Sequence, residues 1–490
     1  MEKQKTCLLI WPPLAVTSIL PLSIPFLKGY LEKKQAGEIK VLDLNRRYLQ
    51  HSSLTWLTLT IFLNLLTKLF GGNPAGKRFI LAGFDMVAGS IAKRKRRSIA
   101  WSLDSIINAA CSNFYYKENN KIYKILKHAI DDKEISLIGI SAVYPEQLLF
   151  ALIIARVVKE KFNKNLPVVI GGAQVTKHIN QLNNKLAIKQ YVDFFIPCDG
   201  EEPLLNLLDG LKEPKQNFLL KPENFPLPDF SGFDLNTYSS WIPLLASKGC
   251  FWSRCTFCTY TGSTGNGYFI NTPGQTSATI KKLKKTCNAS RFLFVDDALP
   301  PQFMRSLAEN LIKEKIAIKW SSSIILNQAF ADKEFCALLK QSGLESVLIG
   351  LESASSRILR LMRKQHAEIS KAEISGIFFA LKTSGIKVRA TVLFGFPTET
   401  RQEARETLDF LAGNRKSIHK VWAQAFSLEE GTYIFNHPEE FGITKINYAD
   451  KNSGERIGFR YESNQGMSSK ERDKFLNNLL FKTFYLKSKL

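Results

Sequence analysis

The sequence predicts an α/β chain: an amino-terminal doubly wound, Rossmann-like domain followed by a partial (β/α)6 barrel of the TIM type. Three observations carry that expectation. Short apolar runs alternate with helical periods along much of the 490 residues, the pattern of a parallel sheet covered on both faces. The turns after those runs are rich in Gly, Ser and Asp, and open parallel sheets bind their ligands outside the carboxyl ends of the strands. In the second half the strand–helix unit recurs six times, more than most open sheets need and suited to a barrel.

In the first domain, residues 1–212, strands are expected at Cys7–Ile10, Ile39–Leu42, Leu137–Ser141, Val168–Ile170 and Asp193–Ile196, with a helix over about Glu146–Phe162. An insertion at about 46–130 holds the most apolar run, Leu54–Phe70, and the basic run Lys93–Arg97. The apolar run is short of a spanning length and carries threonines and Lys68, so it is not read as transmembrane. Two readings stay open: helices packed on the sheet with a solvated basic face, or an amphipathic surface resting on a membrane. Residues 213–240, rich in Pro, Phe and Asn, read as a linker wrapped on a surface.

The barrel, residues 241–440, is expected to use strands Ile242–Ser247, Arg291–Val295, Ala317–Ser321, Ser346–Gly350, Val388–Phe394 and Val421–Phe426. Helices such as Pro301–Lys315 and Glu403–Leu411 lie between them, and 441–490 is a polar extension ending in a basic helix, Ser469–Leu490.

Hydrophobic residues at 45% and charged residues at 23% indicate a globular chain with a large core. The eight cysteines are scattered except for three, which argues against a secreted disulfide scaffold and for reduced thiols in the cytoplasm. The start, MEKQKTCLLIWPP, reads as a first strand rather than a leader. A net charge of +23 suits nucleic acid, an anionic membrane surface, an acidic substrate, or only a solvated basic surface.

Chemistry concentrates in Lys248-Gly-Cys-Phe-Trp-Ser-Arg-Cys-Thr-Phe-Cys258. Cys250, Cys255 and Cys258 can surround one metal centre, with loop N–H groups donating to the sulfurs. Three ligands on a four-iron cluster leave one iron open for chemistry. Zinc would need a fourth ligand that is not obvious, and an electron-transfer cluster would want four cysteines.

This segment and the strand ends after it resemble the radical S-adenosylmethionine (SAM) superfamily. The usual spacing is Cys-x3-Cys-x2-Cys, and this chain has one residue more in the first gap. Phe257 matches the family aromatic near the adenine. Phe294-Val-Asp-Asp-Ala298 is similar to the position that meets the SAM amino group, through Asp296 or Asp297. Gly350-Leu-Glu-Ser353 resembles the segment in which Glu352 and Ser353 face SAM. Phe394-Gly-Phe-Pro-Thr-Glu-Thr400 resembles the Gly-Pro-Glu-Thr turn, where Gly395 and Pro397 lie against the adenine. The resemblance implies a [4Fe–4S] cluster that donates one electron to SAM, yielding methionine and a 5′-deoxyadenosyl radical.

A doubly wound domain ahead of such a barrel resembles the cobalamin-binding branch of the family. The matching pieces are Trp11-Pro12-Pro13, Asp43-Leu-Asn45, Ser141 to Tyr144, Gly171-Gly172-Ala-Gln174 and Asp199-Gly200-Glu201. The resemblance implies that these turns cradle the corrin ring and its tail. The Asp-x-His-x-x-Gly motif is absent, so no histidine is expected on cobalt, and His51, His128 and His178 read as surface residues. A cofactor-free Rossmann-like domain is the alternative.

The implied activity is a cobalamin-dependent methyltransferase acting on an unactivated carbon of a small-molecule, lipid-like or peptide substrate. It would need an external one-electron reductant of ferredoxin or flavodoxin type. Rearrangement or cyclisation, a tRNA methylthiotransferase, and a zinc-stabilised nucleic-acid-binding protein are the rivals. Nucleic acid is not the expected partner, and peripheral membrane contact stays open.

Overall fold

The computed structural model describes residues 5–13, 19–50, 103–112, 116–130, 134–211, 213–214, 218–221, 224–259, 267–448, 459–468 and 470–476. The runs Leu54–Phe70 and Lys93–Arg97, and His51, lie outside the described residues. The chain divides into two compact units, residues 1–242 and residues 243–449 with 458–490. No helix among the described residues is long and apolar enough to cross a membrane.

In the first unit β1 (Thr6–Trp11), β2 (Glu38–Asp43), β3 (Leu137–Ser141), β4 (Val168–Gly171) and β5 (Phe194–Ile196) pair in parallel in the order β2-β1-β3-β4-β5. All of β1 and β3 is buried. The order reverses between β1 and β3, so the turns after them flank the crevice where such sheets take ligands. Helix Pro145–Lys161 is buried nearly all round, because helices Leu103–Cys111 and Tyr116–Ile130 pack against it. Its first turn ties two strand ends together: the Gln147 amide accepts from Val143 N and Tyr144 N and donates to the Pro12 carbonyl.

The proline-rich stretch after this sheet is more than a surface wrap. Leu220, Phe230, Phe233 and Tyr238 are buried. The Tyr238 hydroxyl donates to Asp43 Oδ2 at 2.6 Å, and the Arg46 guanidinium lies 4.4 Å from the Tyr238 ring centroid. Burial pushes the Asp43 carboxyl above its usual range, against the Tyr238 and Arg46 hydrogen bonds. Asp43 therefore anchors the 213–240 stretch.

In the second unit β6 (Ile242–Leu244), β9 (Arg291–Phe294), β10 (Lys319–Ile324), β11 (Leu344–Glu352), β12 (Lys387–Phe394) and β13 (Ile418–Ala425) form one sheet in the order β13-β12-β11-β10-β9-β6. The pairings from β9 to β13 are parallel, as in a partial (β/α)6 barrel. Helices Pro273–Thr286, Lys371–Thr383 and Arg401–Gly413 each begin with a capping box, in which a Ser or Thr and a Gln or Glu three residues on satisfy each other's backbone N–H.

Two features depart from the expectation. A short antiparallel ribbon of β7 (Ser247–Lys248) and β8 (Phe269–Ile270) carries the cysteine loop, so the loop does not leave the first barrel strand directly. The extension is also not simply polar and helical. It contains the antiparallel pair β14 (Ile443–Tyr448) and β15 (Phe459–Ser463). Ile443, Ile446, Phe459 and Tyr461 of that pair pack with Phe396, Phe426, Leu428 and Phe441. Residues 470–476 are helical.

Tyr238→Phe removes one hydrogen bond from a buried carboxyl, which costs about 1–3 kcal/mol. Thermal unfolding should shift down accordingly, and Asp43→Asn in the Tyr238→Phe background should add little. An unchanged melting profile for Tyr238→Phe would show that Asp43 does not anchor this stretch.

Candidate functional site

The cysteine loop is shaped by two left-handed residues, Gly249 at φ +79° and Ser253 at φ +45°. Ser253 lies inside the longer first gap, so a turn there takes up the additional residue. Cys258 N donates to the Cys255 carbonyl at 3.2 Å. The loop is held on the segment Leu361–Arg363 by three bonds. Thr256 N reaches the Met362 carbonyl at 3.1 Å, Thr256 Oγ1 reaches Leu361 O at 3.0 Å, and Trp252 Nε1 reaches Arg363 O at 2.7 Å.

All three thiols are half-buried. Burial pushes Cys255 up to about 11, opposed by Lys364 and reinforced by Cys258 and Cys250. The Cys255 thiolate therefore calls for compensating positive charge, such as bound iron would supply. Among the described residues no three His, Cys, Asp or Glu side chains converge for a single metal ion. Each thiolate of a four-iron cluster meets a different iron, so a cluster does not require the three sulfurs to converge on one point.

Beside the loop sits a buried ion pair that sequence reasoning missed. Lys364 Nζ is 3.4 Å from Glu352 Oε1, with each side chain about one-tenth exposed. It also stands 5.9 Å from the Phe257 ring centroid. Burial pulls the Lys364 ammonium down, but Glu352, Cys255 and Cys258 outweigh it and the net shift is upward. Lys364 is therefore a permanent cation facing the cysteine loop and the carboxylate at the end of β11. The sequence signal was its place three residues after Leu361, but nothing in one chain separates such a lysine from a solvated one.

Glu352 itself is strained. Its φ is +61°, and Ser353 N closes a three-residue turn onto the Leu351 carbonyl at 2.8 Å. A non-glycine residue in such a γ-turn is uncommon and must be held by its surroundings. Lys364 and Thr391 Oγ1, the latter at 3.4 Å, hold the carboxylate. His366 Nε2 lies 3.2 Å from the Leu351 carbonyl. Burial and then Lys364 push His366 down to about 3, so the neutral ring donates there.

The other expected SAM residues divide. Asp296 is fully engaged in the protein: its carboxylate accepts from Ala246 N, Ser247 N and Ser247 Oγ. It fixes the approach to the ribbon, and burial pushes it up to about 7 despite those bonds. Among the described residues Asp297 has no hydrogen bond, and burial alone pushes it up to about 6. Of the adjacent pair, Asp297 is the one with a carboxylate to offer. Ser353 is fully buried with its hydroxyl between Thr407 Oγ1 and Ser355 N, so that hydroxyl, expected to face SAM, already has protein partners.

Gly395, at φ +76°, makes room for protein: a Cβ there would run into the Arg472 side chain. Its carbonyl accepts from Tyr461 Oη at 2.7 Å. Pro397 is buried in the same turn. Glu399 Oε2 accepts from Gly395 N at 2.5 Å, while its Oε1 is buried without a partner among the described residues. Burial pushes Glu399 up to about 8.

In the first unit Trp11 ends β1 and is buried, with Nε1 unpartnered among the described residues, and so is Gln174 Oε1 beyond β4. Pro12 O is taken by Gln147 and Ser141 Oγ by Ser23. Tyr144 is exposed at the start of its helix. Gly171 and Gly200 lie at strand and helix ends. Gly172, at φ +98°, is required by the protein, since a Cβ would meet the Ala142 carbonyl at 2.7 Å. His178 is buried rather than on the surface, and burial pushes it down to about 4. His128 is exposed.

Residues 244–411 match the Radical SAM superfamily. This stretch is a radical SAM domain. It contains the three cysteines, Asp297, Glu352, Lys364 and the Gly395 turn. An uncharacterized methyltransferase of Pyrococcus horikoshii is 24% identical over 59% of this chain and 66% of its own length. A ribosomal protein uS12 methylthiotransferase of Parabacteroides distasonis is 32% identical over 20% of this chain and 24% of its own. The chain thus spans just under two thirds, or far less, of these relatives.

Among solved structures, the cobalamin-dependent radical SAM enzyme OxsB, with aqua-cobalamin and SAM bound, has a TM-score of 0.58 and 16% identity. The likeness covers 90% of this chain and 56% of OxsB. The radical SAM methyltransferase TsrM of Kitasatospora setae, with cobalamin and a [4Fe–4S] cluster bound, has a TM-score of 0.60 and 14% identity. There the coverage is 91% of this chain and 78% of TsrM. At these identities the likeness establishes the fold: a doubly wound sheet followed by the radical SAM barrel.

Glu399 gives the radical SAM domain a pH signature. Its folded value is raised, so its contribution to stability is complete below the ordinary glutamate range and is lost as pH rises through about 8. Glu399→Gln, which keeps an acceptor for Gly395 N, should flatten part of the fall in melting temperature between pH 6 and 9. A fall as steep as in the wild type would contradict the assignment.

Proposed function

We propose that the chain is a cobalamin-dependent radical SAM methyltransferase whose three cysteines hold a [4Fe–4S] cluster. The observation that carries the iron–sulfur part is the cysteine loop bolted to the segment that also supplies Lys364, beside Glu352. When bound, the cluster and SAM supply reductive cleavage of a carbon–sulfur bond, and cobalamin supplies carriage of a methyl group.

The residues have separate tasks. Cys250, Cys255 and Cys258 bind iron. Lys364 offers a cation to the carboxylate of SAM, and Asp297 offers a carboxylate to its amino group. Glu352, held by Thr391 and by the His366-braced turn, offers acceptors to the SAM hydroxyls. Phe257 presents a ring backed by Phe396 at a 6.4 Å centroid separation. An external reductant of ferredoxin or flavodoxin type completes the system.

For cobalamin, the support is the sheet order with its switch point between β1 and β3, and the two orphaned polar atoms, Trp11 Nε1 and Gln174 Oε1. They fit a ligand that offers both an acceptor and a donor. No protein histidine is assigned to cobalt. A methylthiotransferase with a second cluster is less well supported. Cys7 lies buried within β1, Cys111 ends a helix and Cys198 comes after β5, three separate places in the fold.

Anaerobic reconstitution with iron, sulfide and hydroxocobalamin should give about four irons and one corrinoid per chain. Iron without corrinoid would remove the methyl-carrier role from the first unit. Cys255→Ala should lose the iron–sulfur absorbance and SAM cleavage while its far-ultraviolet circular dichroism is retained. SAM cleavage surviving in that variant would refute the cluster assignment.

A further inference from the structure

From Glu352 at the end of β11, where Lys364 reaches it, the sheet continues along β12 and β13 into a cationic, aromatic strip. Thr391 touches the Glu352 carboxylate. Arg389 precedes it by two residues on the same strand, so both side chains share a face. In the pairing of β12 with β13, Arg389 stands opposite Lys420 and Thr391 opposite Trp422. The two cations converge on one ring: Arg389 Cζ is 5.7 Å and Lys420 Nζ 4.8 Å from the Trp422 centroid.

Like charges at opposed positions of neighbouring strands destabilise a sheet, and this pair is poorly neutralised. The Arg389 guanidinium donates to Ser321 Oγ at 2.7 Å, but its Nε is buried with no partner among the described residues. Burial lowers the affinity of Arg389 for its proton, with only Glu345 opposing. Glu345 is already claimed by Arg291 at 2.7 Å and Lys387 at 3.6 Å. Three cations, Arg291, Lys387 and Arg389, therefore share one carboxylate, and Lys420 adds a fourth positive charge across the Trp422 ring. Trp422 is only half-buried and Lys420 is exposed, so the strip is accessible to a ligand.

The geometry points to a substrate subsite: Arg389 and Lys420 receive an acidic group of the substrate, a carboxylate or a phosphate, while Trp422 receives its adjoining planar or apolar part. The subsite lies about 7 Å, two strand residues, below Thr391. The inference rests on the radical SAM reading, and it assigns the substrate's class: an anionic molecule with its acid group away from the SAM end. The orphaned Nε supplies the directed donor, and Trp422 lets both cations be desolvated beside a ring face.

The test uses the full-length protein and three probes of one shape: phenyl phosphate, benzoate and neutral benzyl alcohol, each titrated by ligand-observed NMR at low salt. The anions should bind at least about tenfold more tightly than the alcohol, the size of one charge-assisted hydrogen bond. The tighter of the two anions identifies the acid group, and either result supports the subsite. Lys420→Gln, at an exposed position of an edge strand, should lower the anion preference several-fold, and Arg389→Gln should remove most of it. Equal binding of all three probes, binding of none, or an undiminished preference in both variants would overturn the proposal. Iron–sulfur absorbance is read separately on the reconstituted wild-type protein. Its absence refutes the radical SAM reading, while the titrations judge the anion subsite by themselves.

Discussion

A lysine taken out of water is stable only beside compensating charge, and Lys364 is the point on which this radical SAM domain turns. The ammonium is buried against Glu352 at 3.4 Å and faces the thiols of Cys255 and Cys258. Removing one partner of such a pair leaves an uncompensated buried charge, a loss far larger than the net worth of the pair. The neighbouring carbonyls of Leu361, Met362 and Arg363 hold the cysteine loop through Thr256 and Trp252. Six residues, Leu361 to His366, therefore set the position of the cysteine loop and of the Glu352 carboxylate. Neither can shift without the other.

The strain at Glu352 belongs to the same arrangement. A left-handed glutamate persists when its surroundings over-determine it, and here a lysine, a threonine and a neutral histidine do so. The arrangement fixes the carboxylate before any ligand arrives, so little ordering remains to be done on binding. Asp296 works similarly at the other side of the loop, with its carboxyl spent on the backbone of Ala246 and Ser247.

Much of this was legible in the sequence, because its signals are local. The apolar runs marked both parallel sheets, and Cys250, Cys255 and Cys258 announced themselves by spacing. What stayed hidden depends on direction. Asp296 and Asp297 are adjacent, and only the fold shows that one faces the backbone and the other does not. Ser353 comes directly after Glu352, but the turn at Glu352 sends its hydroxyl toward Thr407. Gly172 and Gly395 were expected to admit cofactors, yet each first admits protein, Ala142 and Arg472. The β14–β15 pair was missed because its strands lie eleven residues apart in sequence, and alternation in such short runs is weak beside the surrounding charge. Lys364 and His366 carry no local mark that separates them from solvated residues. Their roles exist only where the chain returns to the end of β11.

The central claim, that Lys364 couples the cysteine loop to the Glu352 carboxylate proposed to meet SAM, is tested most directly by electron paramagnetic resonance. SAM is titrated into the reduced, reconstituted protein and the cluster signal is tracked in the wild type and in Lys364→Met. The account predicts equal iron content in both, a SAM-dependent change in the wild-type signal, and a requirement for at least about tenfold more SAM in the variant. Superimposable titrations would show that the buried lysine does not connect the two halves of the site.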